Sequence, residues 1–166
     1  EKGEPIVSTK GRIIQQNKQF IAQSNTPYTK ITLAILVNEG SASASEIVAG
    51  AIKDNKRGII VGQKTFGKGS VQTVIPLRDG SALRVTTANY FTPGGYIISK
   101  KGVKPDILVE LHKKELAKAK EEDEKAIFEK LKKPKEEKDL KDKDIDNQVK
   151  AAVDIIKAIN IYRENI

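Results

Sequence analysis

Three serines alternate with alanine in Ser41-Ala42-Ser43-Ala44-Ser45, directly after an apolar run and directly before a helical pattern. A serine in the first turn of a helix that follows a buried strand holds its hydroxyl at the carboxyl edge of the sheet. The unpaired N–H groups of the helix N-terminus point at the same place. Donors so placed stabilise the oxyanion of acyl transfer, and loss of one raises the barrier by about 3–4 kcal/mol. The spacing also has a plainer meaning. Ser43 and Glu46 stand three apart and fit a capping box, in which the serine only satisfies the helix end. Taken alone, the segment favours the cap.

A nucleophilic serine needs a base. The single histidine, His112, stands beside Lys113 and Lys114 in a charged stretch and reads as a solvated surface residue, so a serine–histidine–aspartate triad has no support. The remaining base type is a lysine that has lost solvent, because desolvation disfavours the ammonium form. Lys68, in Thr65-Phe66-Gly67-Lys68-Gly69-Ser70, is the best candidate. Glycines on both sides admit close backbone approach, and Phe66 offers apolar cover. Gln72 could hold the amine by a hydrogen bond, and it is equally an ordinary strand residue. Gly62 to Ser70 also approaches the phosphate-binding pattern G-x-x-x-x-G-K-[ST]. Gly69, however, stands where the magnesium-binding hydroxyl belongs, and a strand pattern follows where a helix is required. Nucleotide binding is set aside on those two failures.

The elements that must position these residues follow from periodicity. Pro5 to Thr9 reads as a strand, Lys10–Gly11 as a turn, and the chain from there to Pro27 as polar and irregular. Ile31 to Val37 is a nearly continuous apolar run, the pattern of a central strand buried on both faces. A turn at Asn38-Glu39-Gly40 precedes a helix in which Ile47, Ala51 and Ile52 form the apolar stripe. Gly58 to Gly62 gives another buried strand, so strand, helix and strand make a parallel crossover. Val71 to Leu77 and Ala82 to Asn89 are strands joined at Asp79-Gly80, a two-residue hairpin signal. Pro93-Gly94-Gly95 turns the chain, and Ile107 to Val109 is a last short strand.

Composition changes at about Glu110. A charged stretch with a thin stripe of Leu116, Ala119, Ile127 and Leu131, interrupted at Pro134, reads as a solvated helix or connector. Asp146 then caps a last helix whose apolar stripe, Val149, Val153, Ile156 and Ile159 to Ile161, needs the core or a second copy as partner. The expected organisation is a core over 1–110, a charged linker over 111–145 and a C-terminal helix over 146–166.

The chain has 166 residues, 38% of them hydrophobic, and no cysteine, which excludes disulfides and thiolate metal sites. Its formal net charge is +8. Residues 1–110 hold 15 basic and 8 acidic side chains, a net of +7, so the excess sits on the core. The basic residues are scattered and aromatics are few, which argues for solubility rather than nucleic-acid binding. No run approaches the roughly 20 apolar residues of a membrane helix. The chain opens with Glu1, lacks methionine and has no signal peptide, so it reads as a piece of a longer polypeptide.

Gly40 to Gln72, GSASASEIVAGAIKDNKRGIIVGQKTFGKGSVQ, resembles the signature block of the carboxyl-terminal processing (tail-specific) proteases, and Gly80 to Ile107 resembles its continuation. The resemblance implies an α/β fold of ClpP/crotonase-like type, a mixed sheet with a strand–helix–strand core, here followed by a charged helical extension. It implies Ser43 as nucleophile, Lys68 as general base, Gln72 as the residue orienting the lysine, and the Ala44 backbone N–H as an oxyanion donor. A second donor and a substrate-binding PDZ domain would lie outside this chain. No cofactor or metal is implied. The implied partners are protein or peptide substrates with accessible C-termini, with membrane association through an N-terminal part; the composition argues against nucleic acid, and the stripe of the last helix leaves a homo-oligomer open. The implied location is extracytoplasmic, in the periplasm or cell envelope. Two other classes stay open, a non-catalytic scaffold of the same fold and a basic module binding a polyanion.

Overall fold

The computed structural model describes residues 1–111 and 146–165, in two compact units, Glu1–Leu108 and Val109–Ile166. His112 and the expected stripe from Leu116 to Leu131 lie outside the described residues.

The first unit is α/β, with its strands divided between two sheets. One is antiparallel, built from β1 (Pro5–Gly11), β2 (Lys18–Ile21), β5 (Ser70–Pro76) and β6 (Ala82–Phe91) in the order β2-β1-β6-β5. The other is parallel, in the order β3-β4-β7, from β3 (Ala34–Val37), β4 (Ile59–Gly62) and β7 (Ile107–Leu108). Helix α1 (Ala44–Asp54) is the crossover from β3 to β4, as the change from an apolar run to a helical stripe predicts. Its Ala49 packs with Val37, Ile60 and Val103 in the buried core, and Ile52 and Ile35 lie against them half-buried.

The central strand is β4, where Ile60 and Val61 are both 0% exposed. The run Ile31–Val37 was expected to be buried on both faces, but β3 is an edge strand and Leu36 is 40% exposed. Apolar content alone does not tell a central strand from its neighbour. The turn expected at Lys10–Gly11 is also absent, because β1 continues through both residues and Gly11 pairs with Ala88. Strand β2, in the stretch read as irregular, pairs with β1. It is short and exposed along its length, so it carries no burial pattern for a sequence reading to find.

The Asp79-Gly80 signal marks a real hairpin with a longer loop than expected. Leu77 N–H donates to Ser81 C=O, leaving a three-residue loop with Gly80 at φ 86°. The Ser81 hydroxyl and then its N–H donate to Asp79 Oδ1, and these bonds hold the Asp79 carboxyl below its ordinary value. A depressed folded value stabilises the hairpin above the ordinary carboxylate range and loses that effect as acid titrates the group. In Ser81→Ala the Asp79 carboxyl should therefore titrate closer to an ordinary aspartate, as followed by NMR.

In the second unit, helix α2 (Asn147–Glu164) starts where expected: Asp146 Oδ1 accepts from the N–H groups of Gln148 and Val149. Its buried residues are Gln148 and Ala152, with Ile156 and Ile159 of the expected stripe half-buried, whereas Val149, Val153 and Ile161 are exposed, so the stripe is met in part. Two polar side chains near its start are also tied down. Gln148 Nε2 donates to Val109 C=O and Asn147 Nδ2 to Glu110 C=O. No helix among the described residues is long and apolar enough to cross a membrane.

Candidate active site

The nucleophile candidate sits in a strained turn. Between β3 and α1, Asn38 Oδ1 accepts from Gly40 N–H, and Asn38 C=O accepts from Ser41 N–H. The Ser41 hydroxyl in turn accepts from Asn38 N–H, so this serine is spent on the turn itself. Ser43 then occupies the N-cap position of α1 with φ 60° and ψ −118°. That region is almost closed to residues with a Cβ, and holding one there costs about 1–3 kcal/mol. Ser43 is exposed and, with Glu46 three residues on, completes the expected capping box, its own N–H donating to Glu46 Oε2. Ala44, the first residue of α1, has an N–H with no partner among the described residues, an orphan donor next to the Ser43 hydroxyl.

The base candidate is held between two segments. Phe66 N–H donates to Ser41 C=O on the nucleophile turn. On the other side, Lys100 N–H donates to Gly67 C=O and Tyr90 N–H to Gly69 C=O. Gly69 admits this packing only because it lacks a side chain: a Cβ there would lie 2.5 Å from Ser99 N and 2.7 Å from Ile98 Cβ. The expected role of the flanking glycines is thus met by geometry. The expected role of Phe66 is not, since it is 67% exposed. The expected loss of solvent at the base is not met either, since Lys68 is exposed and its ammonium has no hydrogen bond or ion pair among the described residues. Gln72, on β5, is exposed as well.

What joins the two segments is Glu46, which the sequence offers only as the acidic member of a capping box. Its carboxylate is 0% exposed. Oε2 accepts from Ser43 N–H at 3.0 Å and from Lys68 N–H at 2.8 Å. Oε1 accepts from Gly67 N–H at 2.7 Å and from the Thr65 hydroxyl. One oxygen atom therefore lies within a hydrogen bond of both candidate residues' backbones, and they can be no farther apart than those two bonds together. A glutamate at the third helical position is also favourably placed toward the helix dipole. A capping box explains the Ser43 contact; nothing in the sequence signals the three contacts to the loop at 65–68.

Residues 1–109 match the model of peptidase family S41. The chain belongs to this family. Among curated S41 relatives, the carboxy-terminal-processing protease of Bartonella bacilliformis is 52% identical over 109 residues, covering 66% of this chain and 25% of that protein. The chloroplastic C-terminal processing peptidase of Tetradesmus obliquus is 53% identical over 88 residues, covering 53% of this chain and 19% of that protein. Among solved structures, the photosystem II D1 C-terminal processing protease superposes with a TM-score of 0.59 at 46% identity, over 64% of this chain and 27% of that one. The chain thus spans a quarter or less of the length of these curated S41 relatives.

Proposed function

We propose that this chain supplies the serine–lysine part of a C-terminal-processing peptidase. The Lys68 amine takes the proton of the Ser43 hydroxyl as its Oγ attacks a peptide carbonyl. The oxyanion forms beside the Ala44 N–H, and Lys68 returns the proton to the departing amine. Water then hydrolyses the acyl ester by the same route. Gln72 orients the amine. The observation that carries this reading is the shared carboxylate oxygen of Glu46, which keeps the Ser43 and Lys68 backbones adjacent. The names of the relatives give the substrate class, proteins cut near their C-termini, and the chloroplastic relatives favour a location outside the cytoplasm.

The test is a hybrid in which residues 1–109 replace the matched stretch of the Bartonella bacilliformis protease. A fluorophosphonate probe should label it at Ser43, located by peptide mass spectrometry. A scaffold without catalytic chemistry would leave Ser43 unlabelled while the hybrid folds normally.

The same hybrid tests the base loop. In Gly69→Ala the new Cβ must push the loop off the backbone of Ser99. A displacement on the order of 1 Å costs about a hundredfold in rate. Cleavage should fall by about that factor with a modest loss of melting temperature. An unchanged rate would show that the loop's position is immaterial.

A further inference from the structure

We propose that Thr65 and Glu46 form a buried positioning pair, and that through the Thr65 hydroxyl the segment from Ile98 to Val103 sets the separation of Ser43 and Lys68. The catalytic consequence rests on the reading above; the geometry does not.

Thr65 is 3% exposed and lies in the base loop, where a surface threonine would serve as well for a simple turn. Its hydroxyl is committed in both directions. It donates to Glu46 Oε1, and it accepts from Val103 N–H at 2.7 Å. The carboxylate has capacity for about four donors and receives four, all N–H or O–H, so no bond remains by which it could turn and adapt. Of these four donors, three are backbone groups fixed to the parts being positioned. The Thr65 side chain is the fourth, and its own anchor is Val103.

Val103 belongs to the buried core, and Thr65 N–H donates to its C=O at 3.1 Å, so the anchor is doubly tied. The same segment contributes Lys100 N–H to Gly67 C=O. A chain of direct hydrogen bonds thus runs from the core at Val103 through Thr65 to Glu46, and from Glu46 to Ser43 and Lys68. Removal of the hydroxyl frees Oε1 to rotate toward Gly67 and takes Oε2 with it. The contacts to Ser43 and Lys68 then lengthen, although neither residue has been touched.

The test uses the isosteric Thr65→Val with Thr65→Ser as its rescue, and Glu46→Gln as an independent variant should Thr65→Val not fold. Amide exchange by NMR on the whole chain is the first measurement. Thr65→Val should speed exchange at Ser43, Gly67 and Lys68 by about tenfold or more while Ile60 in β4 keeps its protection, and Thr65→Ser should restore the wild-type rates. Glu46→Gln should affect the same three amides. Unchanged exchange at Ser43 and Lys68 in both variants overturns the proposal. The second measurement is fluorophosphonate labelling of the hybrid, where Thr65→Val should slow acylation about tenfold and Thr65→Ser should recover it. Loosened amides with an unchanged labelling rate would reduce the pair to a structural tie and overturn its positioning role. An unlabelled wild type would instead sink the proposed function, with the exchange data still deciding the geometry.

Discussion

In the hybrid protease, Lys68→Arg should lose as much activity as Lys68→Ala, about six orders of magnitude in the rate of cleaving an unstructured protein. The two substitutions separate a base from a charge. Arginine keeps the positive charge and much of the reach of lysine, but it stays protonated at any pH a protein survives and cannot accept the Ser43 proton. A residue serving only as a fixed cation would tolerate the exchange. Ser43→Ala should fall to about the same residual rate, and the double variant should be no worse, because groups that act in one proton transfer are lost as a unit. The neighbouring serines give the contrast. The Ser45 side chain is exposed on the first turn of α1, so Ser45→Ala should cleave at close to the wild-type rate. The Ser41 hydroxyl accepts from Asn38 N–H, so Ser41→Ala loosens the turn and lowers stability by about 1 kcal/mol without removing the nucleophile. Retention of full activity in Lys68→Arg would show that the ammonium, not the amine, is what the site uses.

Much of this arrangement is legible in the residues, and its limits have physical causes. The β3–α1–β4 crossover and the β5–β6 hairpin are written in apolar runs and turn residues, whose periods differ enough to be separated. The positions of Ser43 and Lys68 follow because both sit at the ends of such elements. Edge and centre are not written there. Ile31–Val37 looks more buried than Gly58–Gly62, yet β4 is the central strand because β7, far along the chain, pairs on its other side. Strand β2 owes its existence to pairing with β1 and shows no burial pattern of its own. The start of α2 is tied by the side-chain amides of Gln148 and Asn147, which a search for apolar stripes passes over. The deepest omission is Glu46. Its spacing from Ser43 is explained in full by a capping box, so local reasoning had no residue left over to prompt a search for Thr65 and the loop beyond it.

The largest loss of stability should come from Gly62→Ala, at the end of the central strand. Gly62 has φ 123°, a conformation that strains any residue with a Cβ. The added carbon would also lie 2.1 Å from Val37 C=O. That oxygen already accepts from Gln63 N–H at 2.8 Å, and Gly62 pairs with Val37 in β3 and Leu108 in β7, so neither strand can move aside without breaking the sheet. Strain and overlap together should cost about 4 kcal/mol or more, a large part of the 5–15 kcal/mol that holds a typical domain. For a core of this size the melting temperature should fall by roughly 15 °C or more. Gly80→Ala is the control that separates the two causes. Gly80 also has a positive φ, 86°, but a Cβ there would meet nothing within 4 Å. Only conformational strain remains, about 1 kcal/mol, and a fall of about 5 °C. Thermal unfolding of both variants measures the overlap by difference. Equal melting temperatures would mean that the two strands are not as close at Val37 as the carbonyl contact requires, and that the turn carrying Ser43 is not braced against the strand leading to Lys68.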